Sequence, residues 1–205
     1  GITNEEVRKK LRGKAGTEVK VTIIRVGVDK PIEYNIVRDK IPLYSVDAHF
    51  MINENTGYVS VSRFAENTYD ELVDALNDLD RQGMKQLVLD LRGNPGGYLN
   101  QAVKISDLFI NDKKKIVYTE GRRSEFDEVY YASKPSKYEN IPLIVLINRG
   151  SASASEIVSG AIQDWDRGLI VGETSCGKGL VQRQFELPDN SALRLTISKY
   201  YTPSG

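Results

Sequence analysis

Three short segments of the sequence carry residue types that could perform chemistry on a carbonyl group. They read NPGG at residues 94–97, SASASE at residues 151–156 and GETSCGKG at residues 172–179. Glycine N–H groups can stabilise an oxyanion, and a serine at a helix N-terminus can act as a nucleophile. A lysine that has lost its proton can activate such a serine, so the three segments predict acyl transfer if the fold brings them together.

Each segment also has a simpler interpretation. Ser153 and Glu156 have the spacing of a capping box, which stabilises the start of a helix without any catalysis. The Pro-Gly-Gly turn is a common connection between a strand and a helix. Lys178 is one of 28 basic residues and could be solvated. Buried in an apolar pocket, it would instead give up its proton and act as a general base, and the residues alone leave both alternatives open.

The third segment nearly matches the phosphate-binding pattern G-x-x-x-x-G-K-[ST]. Gly179 stands where that pattern needs a hydroxyl for Mg²⁺, and the following residues alternate like a strand instead of opening a helix. We therefore reject a phosphate-binding loop. His49 and Cys176 are the other candidates for catalysis. Both rank below Ser153, because His49 precedes the core and Cys176 has no obvious base except Lys178.

Strands and helices alternate in the part of the sequence that must position these segments. Apolar patterns predict strands at 57–61, 87–91, 141–147 and 169–171, the last two buried, a hairpin at 116–131, and two more strands at 180–187 and 191–200. They predict helices at 68–83, with a capping box at Thr68 and Glu71, at 98–110, and from 155 to about 165. This order indicates an α/β fold whose ligands bind at the carboxyl ends of parallel strands, where all three segments lie.

Residues 1–40 form a separate pattern. A capping box at Thr3 and Glu6 predicts a helix ending at Gly13, and alternating residues predict a β-hairpin after it. So short a segment cannot bury a core, so we interpret it as the end of a domain, followed by a connector that begins at Ile41-Pro42. The chain starts without methionine, and we interpret it as a fragment whose missing targeting segment says nothing about its compartment.

The composition excludes several classes of protein. The 28 basic and 28 acidic residues give a formal net charge of 0, which argues against a nucleic-acid binder. No apolar run in the sequence is long enough to span a membrane. The single cysteine excludes an internal disulfide and a cysteine-based zinc site, and the single histidine is the only one on which a histidine-dependent triad could be built.

Taken together, the three segments resemble the carboxy-terminal processing peptidases, also called tail-specific proteases. The matching text is LDLRGNPGG at residues 89–97, SASASEI at residues 151–157, and GKG at residues 177–179 with Gln182 after it. The pairs Gln163-Asp164 and Gly172-Glu173 also match. Each piece is short, but their order and spacing make the combination specific.

The resemblance implies a serine endopeptidase that cleaves proteins at or near their C-terminal tails through an acyl-enzyme. Ser153 would be the nucleophile, Lys178 the general base, and Gln182 would orient the lysine amine. The oxyanion hole would use a backbone N–H from the turn at Gly96 and Gly97, either of which could donate, together with the N–H of Ala154. The resemblance implies no metal and no cofactor, and its substrates are proteins or peptides with apolar C-terminal tails.

The resemblance also implies a fold and a location. Residues 41–205 would form a crotonase-like α/β core, preceded at 1–40 by the helix and hairpin that end a PDZ domain, in the periplasm or cell envelope. The family usually has Thr-Phe before Gly-Lys, whereas this chain has Ser175-Cys176, so Lys178 would be less shielded from water. Two rivals are a non-catalytic lipid- or peptide-binding module of this fold and an acyl-CoA enzyme. The intact serine, lysine and glutamine favour the protease.

Overall fold

The computed structural model of the protein describes residues 2–39 and 44–205. They fall into two compact units, one within residues 1–43 and the other at Tyr44–Gly205. The connector predicted at Ile41-Pro42 lies outside the described residues. None of the helices in the described ranges has the length and hydropathy that a membrane crossing requires.

The first unit consists of a helix and a hairpin, as its sequence predicts. Helix α1 (Asn4–Leu11) is followed by strands β1 (Glu18–Ile23) and β2 (Ile32–Val37), which pair antiparallel. The predicted capping box is present, because the Thr3 hydroxyl accepts the N–H of Glu6 at 3.3 Å and the Glu6 carboxylate accepts the N–H of Thr3 at 2.8 Å. None of the described residues 2–39 is buried, so this unit holds no core of its own.

The second unit contains two sheets and three α-helices within its described residues. Its strands are β3 (Val46–Met51), β4 (Thr56–Val61), β5 (Gln86–Asp90), β6 (Lys115–Gly121), β7 (Glu128–Tyr131), β8 (Leu143–Ile147), β9 (Leu169–Gly172), β10 (Leu180–Glu186) and β11 (Ala192–Tyr201). Its helices are α2 (Thr68–Arg81), α3 (Leu99–Asp107) and α4 (Ala154–Asp164). A short 3₁₀ turn lies at Ser124–Phe126.

The larger sheet has the strand order β3-β4-β5-β8-β9. Its last four strands are parallel, and β3 joins β4 antiparallel. The predicted α/β fold is therefore confirmed as a mixed one, in which a parallel sheet carries an antiparallel edge strand. The carboxyl ends of β5, β8 and β9 lie at one edge of this sheet, because neighbouring parallel strands point the same way.

The second sheet is antiparallel throughout, with the order β10-β11-β6-β7. It contains the predicted hairpin β6–β7 and a long hairpin, β10–β11, that follows the lysine loop. In the core, α2 contributes Leu72, Leu76 and Leu79, all fully buried, to the same apolar cluster as the fully buried Leu89 of β5. These apolar contacts hold the strand ends that carry the three segments.

Two sequence predictions are wrong in detail. Strand β9 is an edge strand and not a buried one, with Leu169 66% and Val171 47% exposed. The predicted capping box of α2 does not form, because the helix is N-capped by Asn67 and the Glu71 carboxylate instead accepts the backbone N–H groups of Ser45 and Val46 at 2.6 and 3.0 Å. Glu71 therefore ties α2 to the start of β3 rather than closing its own helix end.

Candidate active site

The three segments singled out in the sequence meet at the carboxyl edge of the parallel sheet. The N–H of Ala152 donates to the carbonyl of Asn94 at 3.0 Å, which joins the serine segment to the glycine turn. The N–H of Cys176 donates to the carbonyl of Ser151 at 2.9 Å, which joins the lysine segment to the serine segment. The fold therefore brings together the loops that the strand order predicted to converge.

The glycine turn fits closely under the serine segment because two of its residues lack a side chain. Gly96 has φ +95°, and a Cβ there would lie 2.8 Å from the Cβ of Ser153 and 2.9 Å from the amide nitrogen of Ala154. Gly97 has φ +150°, and its Cβ would lie 2.1 Å from the carbonyl oxygen of Phe64. Both positions need glycine for the backbone conformation and for the close approach.

Two backbone N–H groups at this junction have no acceptor among the described residues. The N–H of Gly96 donates to the side-chain oxygen of Asn94 at 2.8 Å, so it is already satisfied. The N–H groups of Gly97 and Ala154 have no such acceptor in the described ranges. A pair of unsatisfied donors beside a serine is the arrangement that an oxyanion hole needs.

The structure separates the three serines of the second segment by what their hydroxyls do. Ser151 is fully buried and donates to the carbonyl of Leu91 at 2.8 Å, and Ser155 is fully buried and donates to the carbonyl of Asn94 at 3.0 Å. Both hydroxyls brace the glycine turn. Ser153 is half-buried and lines two open cavities, so it is the one serine of the three that can meet a ligand.

Ser153 also holds a strained backbone at the start of α4. Its φ is 55° and its ψ is −111°, outside the common regions for a residue with a side chain. The N–H of Ser153 donates to the Glu156 carboxylate at 2.7 Å, and the helix begins immediately after it. A strained backbone persists only where the surrounding contacts enforce it. Such conformations are concentrated at functional sites.

The carboxylate of Glu156 joins the serine to the lysine loop, a role that its sequence spacing did not reveal. One oxygen accepts the N–H of Ser153 at 2.7 Å and the N–H of Lys178 at 2.9 Å. The other accepts the hydroxyl of Ser175 at 2.7 Å and the N–H of Gly177 at 2.5 Å. One side chain therefore fixes the separation of the two segments that carry the predicted nucleophile and base.

Lys178 shares two cavities with Ser153. The larger, about 420 Å³, also holds Gln182, and the smaller, about 210 Å³, lies beside α4 and β11. Within the described residues, no hydrogen bond joins the lysine amine to Ser153 or to Gln182. Lys178 is exposed, contrary to the burial expected from its role, because Gly177 and Gly179 flank it without side chains and the neighbouring Cys176 is itself exposed.

The competing candidates of the sequence analysis lie apart from this site or play structural parts in it. His49 lies on β3, where its Nε2 contacts the Asp78 carboxylate at 3.2 Å, and it lines neither cavity. Hydrogen bonds from Arg81 and then from His49 lower the pKa of Asp78.

The structure also gives no support to a phosphate-binding loop at residues 172–179, since strand β10 and not a helix follows Lys178. In the described ranges, no group of three or more His, Cys, Asp or Glu residues is placed to hold a metal ion.

A charged cluster at the end of β5 supports the glycine turn that follows it. Asp90, at the end of β5, is 5% exposed and accepts hydrogen bonds from the Arg92 guanidinium at 2.6 Å and from the Tyr58 hydroxyl at 2.6 Å. Burial opposes ionisation of this carboxyl, but its hydrogen bonds outweigh burial and lower the pKa of Asp90. Burial first, and the neighbouring carboxylate second, raise the pKa of Tyr58.

The comparisons with known proteins agree with this geometry. The profile of peptidase family S41 matches residues 55–205. The chain belongs to peptidase family S41. The match covers the three segments that form the candidate active site, and the resemblance to carboxy-terminal processing peptidases is thereby confirmed.

Named S41 relatives and solved structures resemble the chain along most of its length. A carboxy-terminal-processing protease of Bartonella bacilliformis is 45% identical over 209 residues, covering 100% of this chain and 48% of the relative. The carboxy-terminal processing protease CtpA of Bacillus subtilis is 40% identical, covering 100% and 43%. A photosystem II D1 C-terminal processing protease aligns with a TM-score of 0.70 at 32% identity, covering 94% and 53%. The chain thus spans about half the length of these relatives.

Asp90 gives a test of how the S41 glycine turn is held. We expect Asp90→Asn to lower the free energy of unfolding at neutral pH by about 1–3 kcal/mol, because it removes a buried charge that accepts several hydrogen bonds. A lowered pKa means that the ionised form contributes stability above the unfolded pKa of about 3.9, and that this contribution is lost as the pH falls through the still lower folded value.

Urea unfolding of both proteins between neutral pH and about pH 3 measures this effect. The difference between the two proteins should be constant above about pH 5 and shrink below about pH 4. A difference that stays the same down to the acid end would mean that the Asp90 charge does not stabilise the fold.

Proposed function

We propose that this chain is the catalytic part of a serine endopeptidase that cleaves proteins at or near their C-terminal tails through a Ser-Lys acyl-enzyme mechanism. The observation that carries the proposal is the position of Ser153. Ser153 has a strained backbone, is half-buried and lines the same cleft as Gly97 and Lys178, and Ala154, whose N–H also lacks an acceptor, follows it in the chain. A role as a helix cap would not account for the cleft beside Ser153, for the two N–H groups that lack acceptors, or for Lys178 in the same cleft.

In the acylation step, the neutral amine of Lys178 takes the proton of the Ser153 hydroxyl. The serine oxygen bonds to the carbonyl carbon of the scissile peptide, and the carbonyl oxygen becomes an oxyanion. We assign the N–H groups of Gly97 and Ala154 to this oxyanion, since the N–H of Gly96 is engaged by Asn94. The tetrahedral intermediate collapses, the C–N bond breaks, and the lysine ammonium returns its proton to the leaving amine.

Deacylation repeats these steps with water. Lys178 takes a proton from a water molecule, whose oxygen attacks the acyl carbon and restores the oxyanion. The ester bond to Ser153 then breaks, the serine oxygen regains a proton from the lysine, and a peptide with a new carboxyl end leaves. Gln182, which lines the same cleft as Lys178, is proposed to orient the lysine amine. A substrate in the cleft would cover the exposed lysine and exclude water from it.

The smaller cavity supports substrates with apolar tails. It measures about 210 Å³ and adjoins both Ser153 and Lys178. Besides Glu156 and the two glycines of the lysine loop, its other walls are apolar or aromatic: Val117, Ile157, Tyr200, Tyr201 and the methyl-bearing Thr202. A space of this size beside the nucleophile suits one aliphatic side chain next to the scissile bond.

The remaining features implied by the resemblance stay proposals. The helix and hairpin within residues 2–39, which bury no residue, suit the end of a PDZ domain whose other part supplies the missing apolar partner. The crotonase-like architecture of the core and the location in the periplasm or cell envelope are proposed on the resemblance alone. A lipid- or peptide-binding module is not favoured, because the curated relatives reported above are named as proteases.

Trapping of the acyl-enzyme tests the mechanism directly. The full-length protein is mixed with an unfolded protein substrate, quenched in acid within seconds and digested for mass spectrometry. We expect an acyl adduct on the peptide that contains residues 151–156, with fragmentation placing it on Ser153. An adduct on Ser155 or Cys176, or undiminished cleavage with no adduct on any residue, would contradict the proposed nucleophile.

A further inference from the structure

Arg194 lines the same cleft as the proposed nucleophile and base. The cleft of about 420 Å³ has one wall formed by Phe64, Gly97 and Tyr98, and another formed by the β10–β11 hairpin. Ser153 and Lys178 lie in the lining together with these walls. The hairpin contributes Leu180, Gln182, Gln184, Arg194 and Tyr200. Arg194 has no part in the mechanism above, and its charge in this cleft therefore needs a separate explanation.

The register of the hairpin places Arg194 at a set distance from the catalytic end. Gln182 pairs with Thr196, and Gln184 pairs with Arg194, so Arg194 lies one two-residue step further along the hairpin. That step is about 7 Å in an extended strand. Arg183 lies between the two glutamines and, by alternation, points to the opposite face, where its guanidinium lies 5.7 Å from the ring centroid of Phe185.

The charge of Arg194 is not balanced within the cleft. The lining contains two basic residues, Arg194 and Lys178, and no carboxylate. In the described ranges the Arg194 guanidinium has no hydrogen-bond or ion-pair partner. Two other arginines of this unit are engaged: Arg92 binds the Asp90 carboxylate, and Arg167 donates to three backbone carbonyls. Arg194 is thus an exposed residue whose guanidinium has no partner in the described ranges and which lines the space that a substrate would occupy.

We propose that Arg194 binds a carboxylate of the substrate and so sets a preferred distance between that carboxylate and the scissile bond. The inference rests on the proposed peptidase function. A guanidinium pairs with a carboxylate through two parallel hydrogen bonds, which makes arginine a specific reader of this group. Arg194 lies one step of about 7 Å beyond Gln182, the residue proposed to orient the base, so we expect the bound carboxylate to belong to a residue a few positions from the cleaved bond.

Two sources can supply this carboxylate: the α-carboxylate at the end of the substrate chain, and the side chain of an aspartate or glutamate. A panel of peptides distinguishes them. Each peptide carries the same apolar scissile sequence, and its C-terminus is a free acid or an amide at increasing distance from the cleaved bond. A second set has an amidated end and a single glutamate at each position in turn.

The full-length protein and its Arg194→Gln variant are compared on this panel by kcat/KM. We expect the variant to lose about tenfold to a hundredfold on the peptides with a correctly spaced carboxylate, mostly through KM, and little on the fully neutral peptides. Arg194→Lys should recover part of the loss, because it keeps the charge but not the paired hydrogen bonds. Arg183→Gln, on the opposite face of the same hairpin, is the matched control and should behave as the unmodified protein.

The pattern of results separates this inference from the peptidase proposal. Equal losses on neutral and carboxylate-bearing peptides, or no loss on any, would overturn the role of Arg194 while cleavage by the unmodified protein still upheld the peptidase. Cleavage by none of the proteins would instead overturn the peptidase itself. Binding of the free-acid peptides to the Ser153→Ala protein, measured by calorimetry, should weaken on adding Arg194→Gln, and unchanged binding would contradict the inference independently of turnover.

Discussion

Replacing Ser153 by alanine, or Lys178 by alanine, should each abolish proteolysis by the full-length protein. We expect kcat/KM to fall by about 10⁴-fold or more in either variant, because the loss of nucleophile or base leaves only the oxyanion hole and substrate binding. The double variant should be no slower than the single ones, since the two side chains act in one step. Cleavage of an unfolded protein substrate, followed by mass spectrometry, measures this loss.

The control residues for this prediction line neither of the two cavities. Neither variant should change the unfolding midpoint by much, because Lys178 is exposed and the Ser153 hydroxyl faces a cavity. Ser191→Ala and Lys199→Ala, which alter a turn and a strand residue outside both cavities, should keep their activity. Cleavage by Ser153→Ala at the rate of the unmodified protein would refute the assignment.

The proposed base also predicts how the rate of cleavage changes with pH. Only an uncharged amine can accept the serine proton, so the rate should rise as the medium becomes more alkaline until the amine is fully neutral. A rate that falls over that range, with the fold intact, would point to a protonated group as the catalyst.

The elements with strong local periodicity were predictable from the sequence. Leu72, Leu76 and Leu79 recur at helical spacing, and this stripe is the fully buried face of α2. The apolar run before Asn148 predicted β8, which is an interior strand paired with β5 on one side and β9 on the other. Strand β3 was missed because Asp47 and His49 interrupt its apolar pattern, and only pairing with β4 defines it.

Other features depend on contacts between distant residues and could not be derived from local patterns. The aliphatic run of β9 looks the same in a central strand as in an edge strand, and the strand order alone decides its exposure. The spacing of Thr68 and Glu71 matched a capping box, yet Glu71 binds backbone N–H groups more than twenty positions earlier in the chain. For the site, the convergence of the loops was predictable, but the exposure of Lys178 was not.

Glu156 is the clearest case of a residue whose local pattern concealed a longer reach. Its spacing from Ser153 predicted a helix cap, and its carboxylate does accept the Ser153 N–H. The same carboxylate also accepts three donors of the lysine loop, from Ser175, Gly177 and Lys178. The reason is geometric. The loop that follows β9 lies beside the N-terminus of α4, so the Glu156 carboxylate can accept hydrogen bonds from both the serine segment and the lysine loop.

We expect Glu156→Gln to lower kcat/KM by about 10²-fold, the cost of displacing a reacting group by about 1 Å. The amide keeps one oxygen, but its NH₂ group would face two N–H or O–H donors and leave them without an acceptor. The lysine loop should then move away from Ser153. Because the cleft walls that bind substrate remain, kcat should carry most of the loss and KM little of it.

Glu173→Gln is the matched control for Glu156→Gln. Glu173 belongs to the same loop, but its side chain is 65% exposed and makes a single contact, with Arg149 at 3.8 Å. The control should keep nearly full activity, since exposed ion pairs contribute little to stability. Equal kinetics in both variants would mean that the charge of the loop, and not the bridging carboxylate, matters. If Glu156→Gln alone is slow, one acidic side chain holds the nucleophile and the base of this site in register.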